Sequence, residues 1–160
     1  MSVGRIAVEK NLPAFLSLDL PGSKVVIGQG PQELELRRRF PAAKFMGLLD
    51  EKILPAYVAG SDVFVFPSRT DTFGVVQLEA LACGVPVAAF PVTGPKDVIG
   101  DHPVGVLDED LRAACMGALH VARKSCRSFA LSRSWEASAR QFIGHVERVV
   151  IDRFRKPRAA

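Results

Sequence analysis

Asp62-Val63-Phe64-Val65-Phe66-Pro67, Ser68-Arg69-Thr70-Asp71, Thr72-Phe73-Gly74-Val75-Val76-Gln77-Leu78-Glu79-Ala80-Leu81-Ala82-Cys83, Gly84-Val85-Pro86-Val87-Ala88-Ala89-Phe90: these four pieces decide the fold. The first is a continuous β-prone apolar run, the second a polar loop, and the third carries helix formers from Phe73 to Cys83. The fourth turns at Gly84 and runs apolar again from Val85 to Phe90. A strand that is apolar throughout, rather than at alternate positions, is buried on both faces. Two such strands separated by a helix make a parallel pair with a crossover.

The same unit repeats outward. Upstream lie Lys24-Val25-Val26-Ile27 and Lys44-Phe45-Met46, with helix-like segments from Pro31 to Phe40 and Glu51 to Ala59. Downstream come a weak helix, Pro95 to Ile99, and the run Val104-Gly105-Val106-Leu107. The class expected is α/β: a single Rossmann-like, doubly wound parallel sheet. After Leu107 the period is helical only, through Leu111, Ala114, Cys115, Ala118, Leu119 and Ala122, then again through Phe142, Val146, Val149, Val150 and Phe154. Asp108-Glu109-Asp110 reads as a helix start, which explains all three carboxylates better than a metal-holding Asp pair. Ser134 caps the last helix, so a sheet domain over 1–133 is followed by a helical, basic C-terminal tail over 134–160. Only Met1-Ser2-Val3 precedes the Gly4-Arg5 loop, so the first strand is expected to be clipped, or its edge covered by something else.

Composition narrows the function classes. The 160 residues are 48% hydrophobic and 24% charged, values of a globular chain rather than a disordered or fibrous one. The longest uncharged run, Ala80 to Pro95, is broken by Gly84, Pro86 and Pro91 and falls short of the roughly 20 apolar residues of a membrane span. Residues 1 to 10 have no apolar signal region, so a cytoplasmic location is expected, and Cys83, Cys115 and Cys126 read as free thiols in a reducing compartment. Charge is uneven: residues 1–110 hold 10 Lys/Arg and 14 Asp/Glu, net −4, while 111–160 hold 11 and 3, net +8. The basic third, densest at Arg153, Arg155, Lys156 and Arg158, is either a solvated face and tail or a peripheral contact with anionic membrane. No nucleic-acid partner is expected.

Ligands of an open parallel sheet bind beyond the C-terminal strand ends. The loops there are Gly4-Arg5, Gly28-Gln29-Gly30-Pro31, Gly47-Leu48-Leu49-Asp50, Ser68-Arg69-Thr70-Asp71 and Pro91-Val92-Thr93-Gly94. Their glycines are either turns or points where backbone approaches a ligand. Thr72-Phe73-Gly74 opens a helix whose free N–H groups suit an anion, and Glu79 stands about 8 Å further along its axis. Phosphates near Gly74 and ribose hydroxyls on Glu79 would fit one nucleoside diphosphate. Spacing alone is weak, since about two acidic pairs eight apart are expected by chance from 17 acidic residues in 160.

The whole stretch from Phe66 to Val87, with Gly4-Arg5 to Lys10-Asn11 and Gly28-x-Gly30-Pro31, resembles the donor-site signature of the C-terminal domain of retaining GT-B glycosyltransferases, family 4 or group 1. The resemblance covers nearly the whole chain. It implies transfer of a hexose from a UDP- or GDP-sugar to a lipid or saccharide acceptor, with no cofactor and no metal. By the resemblance Arg5 and Lys10 bind the diphosphate, Asp71 frames the donor sugar where relatives usually carry Glu, and Glu79 holds the ribose. Thr72, Phe73, Gly74 and Val75 approach sugar and phosphate, and Gly47 and Leu49 border the base.

Family members have a second, N-terminal domain that binds the acceptor and carries a histidine near the donor sugar. His102, His120 and His145 do not match it and read as structural or surface residues. The partner implied is that missing half, on another chain or another segment. In relatives the last helix crosses back to it, so Trp135 to Phe154 would lack a packing surface here. The alternative is an inactive nucleotide-sugar-binding module or truncated remnant. An epimerase of related fold would need acid and base residues that the sequence does not supply.

Overall fold

The computed structural model describes residues 1–155, with side chains through residue 151. Its elements alternate as read: β1 (Ser2–Val3), a 3₁₀ turn (Val8–Lys10), α1 (Leu12–Leu16), β2 (Val25–Ile27), α2 (Glu33–Arg39), β3 (Lys44–Phe45), α3 (Leu54–Ala59) and β4 (Phe64–Phe66). Then follow α4 (Val75–Ala82), β5 (Val87–Ala89), α5 (Pro95–Val98), β6 (Gly105–Leu107), α6 (Leu111–Ala118), α7 (Arg123–Leu131) and α8 (Trp135–Arg155). All four strand pairings are parallel, in two ladders ordered β1-β2-β3 and β4-β5-β6. Met1 joins them. Its amine donates to the Val63 carbonyl at 2.7 Å, and its own carbonyl accepts from the Val65 N–H at 2.7 Å.

The resulting strand order, β3-β2-β1-β4-β5-β6, reverses direction of travel between β1 and β4. Ser2–Val3 does form a strand, in register with Val26 and Ile27, and it lies at the centre of the sheet rather than at an edge.

The continuous apolar runs divide their side chains between two cores, as a period of two demands. Val63, Val65, Ala88 and Phe90 face a cluster with Phe15 of α1 and Leu111, Ala114, Cys115 and Ala118 of α6. Phe64, Phe66, Val87 and Ala89 face the other, with Val58 of α3, Leu81 of α4, Val98 of α5 and Cys126 of α7. The helical period through Ala122 is interrupted at residues 119–122, which separate α6 from α7. Asp110 caps α6, its carboxylate accepting from the N–H groups of Arg112 and Ala113. Ser134 caps α8, its hydroxyl accepting from Ala137 N–H at 3.2 Å.

Part of the basic C-terminal third has a structural use. Arg123 donates to the carbonyls of Ala59 and Ser61 past the end of α3, and Arg127 to Ala82 at the end of α4. Ala59 and Ala82 close their helices, so their carbonyls have no partner along the helix. Arg112 donates to Asp19. The chain divides into two compact units, 1–130 and 131–160. Along α8, Trp135, Phe142, Ile143, Val146 and Val149 to Ile151 are exposed. Lys156 and Arg158, and the side chains of Arg153, Phe154 and Arg155, lie outside what is described.

The loops after β1 and β2 are laced together by backbone: Gly4 N–H to Ile27, Ile6 N–H to Gln29 and Gln32 N–H to Ile6. That lacing explains Gly28, which has φ +134°, and where a Cβ would stand 1.9 Å from the Gly4 carbonyl oxygen. The glycine serves an approach of the chain to itself. Gly28→Ala is therefore expected to lower the unfolding free energy by about 2 kcal/mol or more in urea titration, the range of strained, overpacked sites. Burial pushes the Cys115 thiol up to about 11 and also raises Cys126 and Cys83. With Cys83 the least buried of the three, Ellman's reagent at pH 8 should react first there. Cys115 and Cys126 should react only on unfolding, and Cys83→Ser should remove the early phase.

Candidate functional site

The reversal between β1 and β4 fixes where a ligand can sit, because the loops leaving their carboxyl ends turn to opposite faces and open a crevice. A cavity of about 440 Å³ occupies that place. Its lining includes Gly4, Arg5 and Lys10 from the β1 side and Ser68, Asp71, Gly74 and Val75 from the β4 side. A larger hollow, about 780 Å³, opens at the amino ends of β2, β3 and β4, among Lys24, Lys44, Asp62 and Val63. It lies away from the carboxyl ends of the strands, where an open parallel sheet binds its ligands, so the smaller cavity is the candidate site.

Both walls of the crevice are held by side chains. The Ser68 hydroxyl, 1% exposed, donates to the Glu9 carbonyl at 2.9 Å. Asn11 sits in the left-handed region, φ 50°, and its amide donates to the Pro67 carbonyl at 3.0 Å. Lys10, between these anchors, places its ammonium 2.8 and 2.7 Å from the two oxygens of Asp71. The two side chains are 29% and 23% exposed. The ion pair thus spans the crevice from the β1 loop to the β4 loop. Arg5 is exposed and its guanidinium stands 3.9 Å from Glu9.

The opening of α4 forms the third part. Gly74, at φ +79°, is its N-cap and offers no side chain to the first-turn N–H groups. A Cβ there would fall 2.7 Å from Gln77 Nε2 and 2.8 Å from Phe66 Cζ. Gln77 is fully buried, and its amide donates to the Phe73 carbonyl at 3.0 Å, holding the turn from inside. Glu79 is exposed, four residues beyond the cavity-lining Val75 and so one turn further along the same face.

Of the residues expected at the site, Arg5, Lys10, Asp71, Gly74 and Val75 meet at the cavity. Thr72 and Phe73 are exposed on the loop above it, and Asp71 does not cap α4. Gly47 and Leu49 follow β3, two strands or about 10 Å from β1, and do not line it. His102 stacks on Phe129 with ring centroids 4.8 Å apart, while His120 and His145 are exposed.

Ser68 and Arg69 were placed in a ligand-side loop by sequence without their contacts, and Gln77 was not singled out. The Arg69 guanidinium lies 3.7 Å from the centre of the Phe90 ring and donates to Glu109 at 3.1 Å, tying the loops after β4, β5 and β6. A polar residue inside an apolar helix face, as Gln77 is, was the one available signal.

A family model described as Glycosyl transferases group 1 matches residues 3–124. A GDP-mannose-dependent alpha-mannosyltransferase of Mycobacterium tuberculosis (strain CDC 1551 / Oshkosh) is 34% identical over 158 residues, 92% of this chain and 42% of the relative. A protein of the same name from Mycolicibacterium smegmatis is 35% identical over 159 residues, with the same coverage. The chain thus spans less than half the length of these curated relatives.

Among solved structures, the pneumococcal O-GlcNAc transferase GtfA, in complex with UDP and GlcNAc, superposes with a TM-score of 0.73 at 19% identity. The match covers 93% of this chain and 35% of that one. Sucrose-phosphate synthase from Thermosynechococcus elongatus gives 0.73 at 26% identity, covering 94% and 45%. A doubly wound sheet with its crevice at the β1/β4 reversal, the family match over most of the chain and the neighbours of the same fold agree: the chain belongs to the glycosyl transferases group 1, as a domain of GT-B fold.

Proposed function

We propose that this chain is the donor-binding half of a retaining hexosyltransferase that takes a UDP- or GDP-sugar and passes the sugar to a lipid or saccharide acceptor held by a second, N-terminal GT-B half. The observation that carries it is the meeting of Lys10, Asp71 and the start of α4 in one crevice, with Glu79 a turn further along α4. A nucleoside diphosphate laid over the helix start has its phosphates beside a cation and the positive helix end, and its ribose within reach of a carboxylate.

The chemistry follows from charge. Breaking the bond between the anomeric carbon and the phosphate oxygen leaves negative charge on the diphosphate. Lys10, Arg5 and the first-turn N–H groups of α4 stabilise it where it develops. The acceptor oxygen bonds to the anomeric carbon on the face the phosphate leaves, and the acceptor proton passes to that phosphate. No carboxylate nucleophile and no cofactor enters this scheme.

The two mycobacterial relatives are GDP-mannose-dependent by name, which puts GDP-mannose first among donors and GDP first among nucleotides to test. Several structural neighbours were solved with UDP or UDP-glucose, which puts these second.

Calorimetry with GDP, UDP and ADP tests the reading. One nucleotide should bind saturably, and Glu79→Ala should weaken it about tenfold or more, as loss of hydrogen bonds to a carboxylate implies. A folded chain that binds none of them would refute it.

The same proposal includes a membrane contact for the basic C-terminal segment, supported by the +8 charge of residues 111–160. Among the described residues no helix is long and apolar enough to cross a membrane. Sedimentation should show binding to vesicles containing phosphatidylglycerol and markedly less to pure phosphatidylcholine; equal partitioning would remove the electrostatic role.

A further inference from the structure

The Lys10–Asp71 pair poses a problem for any ligand of the site. The cation that should meet the diphosphate is already held, at 2.8 and 2.7 Å, by the carboxylate that should meet the sugar. The backbone offers no relief, because Ser68 fixes Glu9 and Asn11 fixes Pro67 on either side of the pair. The long Lys10 side chain can change partner without moving either loop. When it turns to a phosphate, Asp71 is left about three-quarters buried and unpaired, facing another anion.

A free nucleoside diphosphate bears that penalty in full. A nucleotide sugar does not, since its sugar hydroxyls donate to the vacated carboxylate and restore the lost hydrogen bonds.

From this geometry, and resting on the donor-site reading above, we infer that Asp71 is a specificity-determining residue that sets the intact nucleotide sugar against the spent nucleoside diphosphate by competing for Lys10. With sugar present, Lys10 serves the diphosphate and Asp71 the sugar. Once the sugar has left, Asp71 takes Lys10 back and the diphosphate keeps only Arg5 and the start of α4. The consequence is unusual in sign: removing the charge of a residue that touches the donor should strengthen binding of the product.

The test is a double-mutant cycle on the 160-residue chain, with Asp71→Asn, Lys10→Met and both together, titrated by calorimetry with GDP, GDP-mannose, UDP and UDP-glucose. Circular dichroism and thermal melts establish that each variant is folded. Asp71→Asn should bind the nucleoside diphosphate about two- to fivefold more tightly, the scale of one partly exposed ion pair. It should gain nothing for the nucleotide sugar. In the Lys10→Met background the gain should disappear, since the competition acts through Lys10.

Unchanged or weaker diphosphate binding by Asp71→Asn, in a protein whose wild type binds nucleotide, overturns the competition alone and makes Asp71 a support that positions Lys10. A gain that persists without Lys10 also overturns it, leaving direct repulsion by the carboxylate. Absence of nucleotide binding by the wild type removes the donor-site reading and this inference with it.

Discussion

The seam between β1 and β4 is the constraint on which the rest depends. Two hydrogen bonds around Met1 join ladders that would otherwise be separate three-stranded sheets. Because the chain leaves β1 for β2 on one side and reaches β4 only after passing through β3, the connections on the two sides of the seam run in opposite directions. The crevice at its carboxyl end is a result of topology, present before any side chain is chosen. Lys10, Ser68, Asp71 and Gly74 occupy it because they are the residues that leave those two strands.

The alternation of elements was legible because each strand is apolar on both faces. Val63 to Phe66 and Val87 to Phe90 carry that signal without ambiguity, and the structure divides them between two cores. The short central strand was not legible. Ser2–Val3 has no length to speak for it, and its existence depends on pairing partners more than 20 residues away on one side and 60 on the other. The same reason hid the break at residues 119–122. Apolar spacing persists across it, and what turns the chain is the docking of Arg123 and Arg127 on distant carbonyls.

For the site, residue types were legible and pairings were not. Lys10, Asp71 and Gly74 are marked by their place in loops after strands. That the ammonium and the carboxylate hold each other follows only from two other contacts, Ser68 to Glu9 and Asn11 to Pro67, which bring the loops together. Neither a serine nor an asparagine announces such a role in a linear chain. Gly28 and Gly74 illustrate the same limit. Both stand where glycine was expected, yet one admits the chain's own backbone and the other makes room for Gln77 and Phe66.

Arg127 has a further effect through its bond to the Ala82 carbonyl. A helix of eight residues is about 12 Å long, so its two poles lie close enough to offset each other in the field they cast. With a guanidinium on the negative pole, α4 acts less as a dipole and more as a lone positive charge aimed into the crevice. The residue that offsets the negative pole thus stands at the far end of α4 from the crevice.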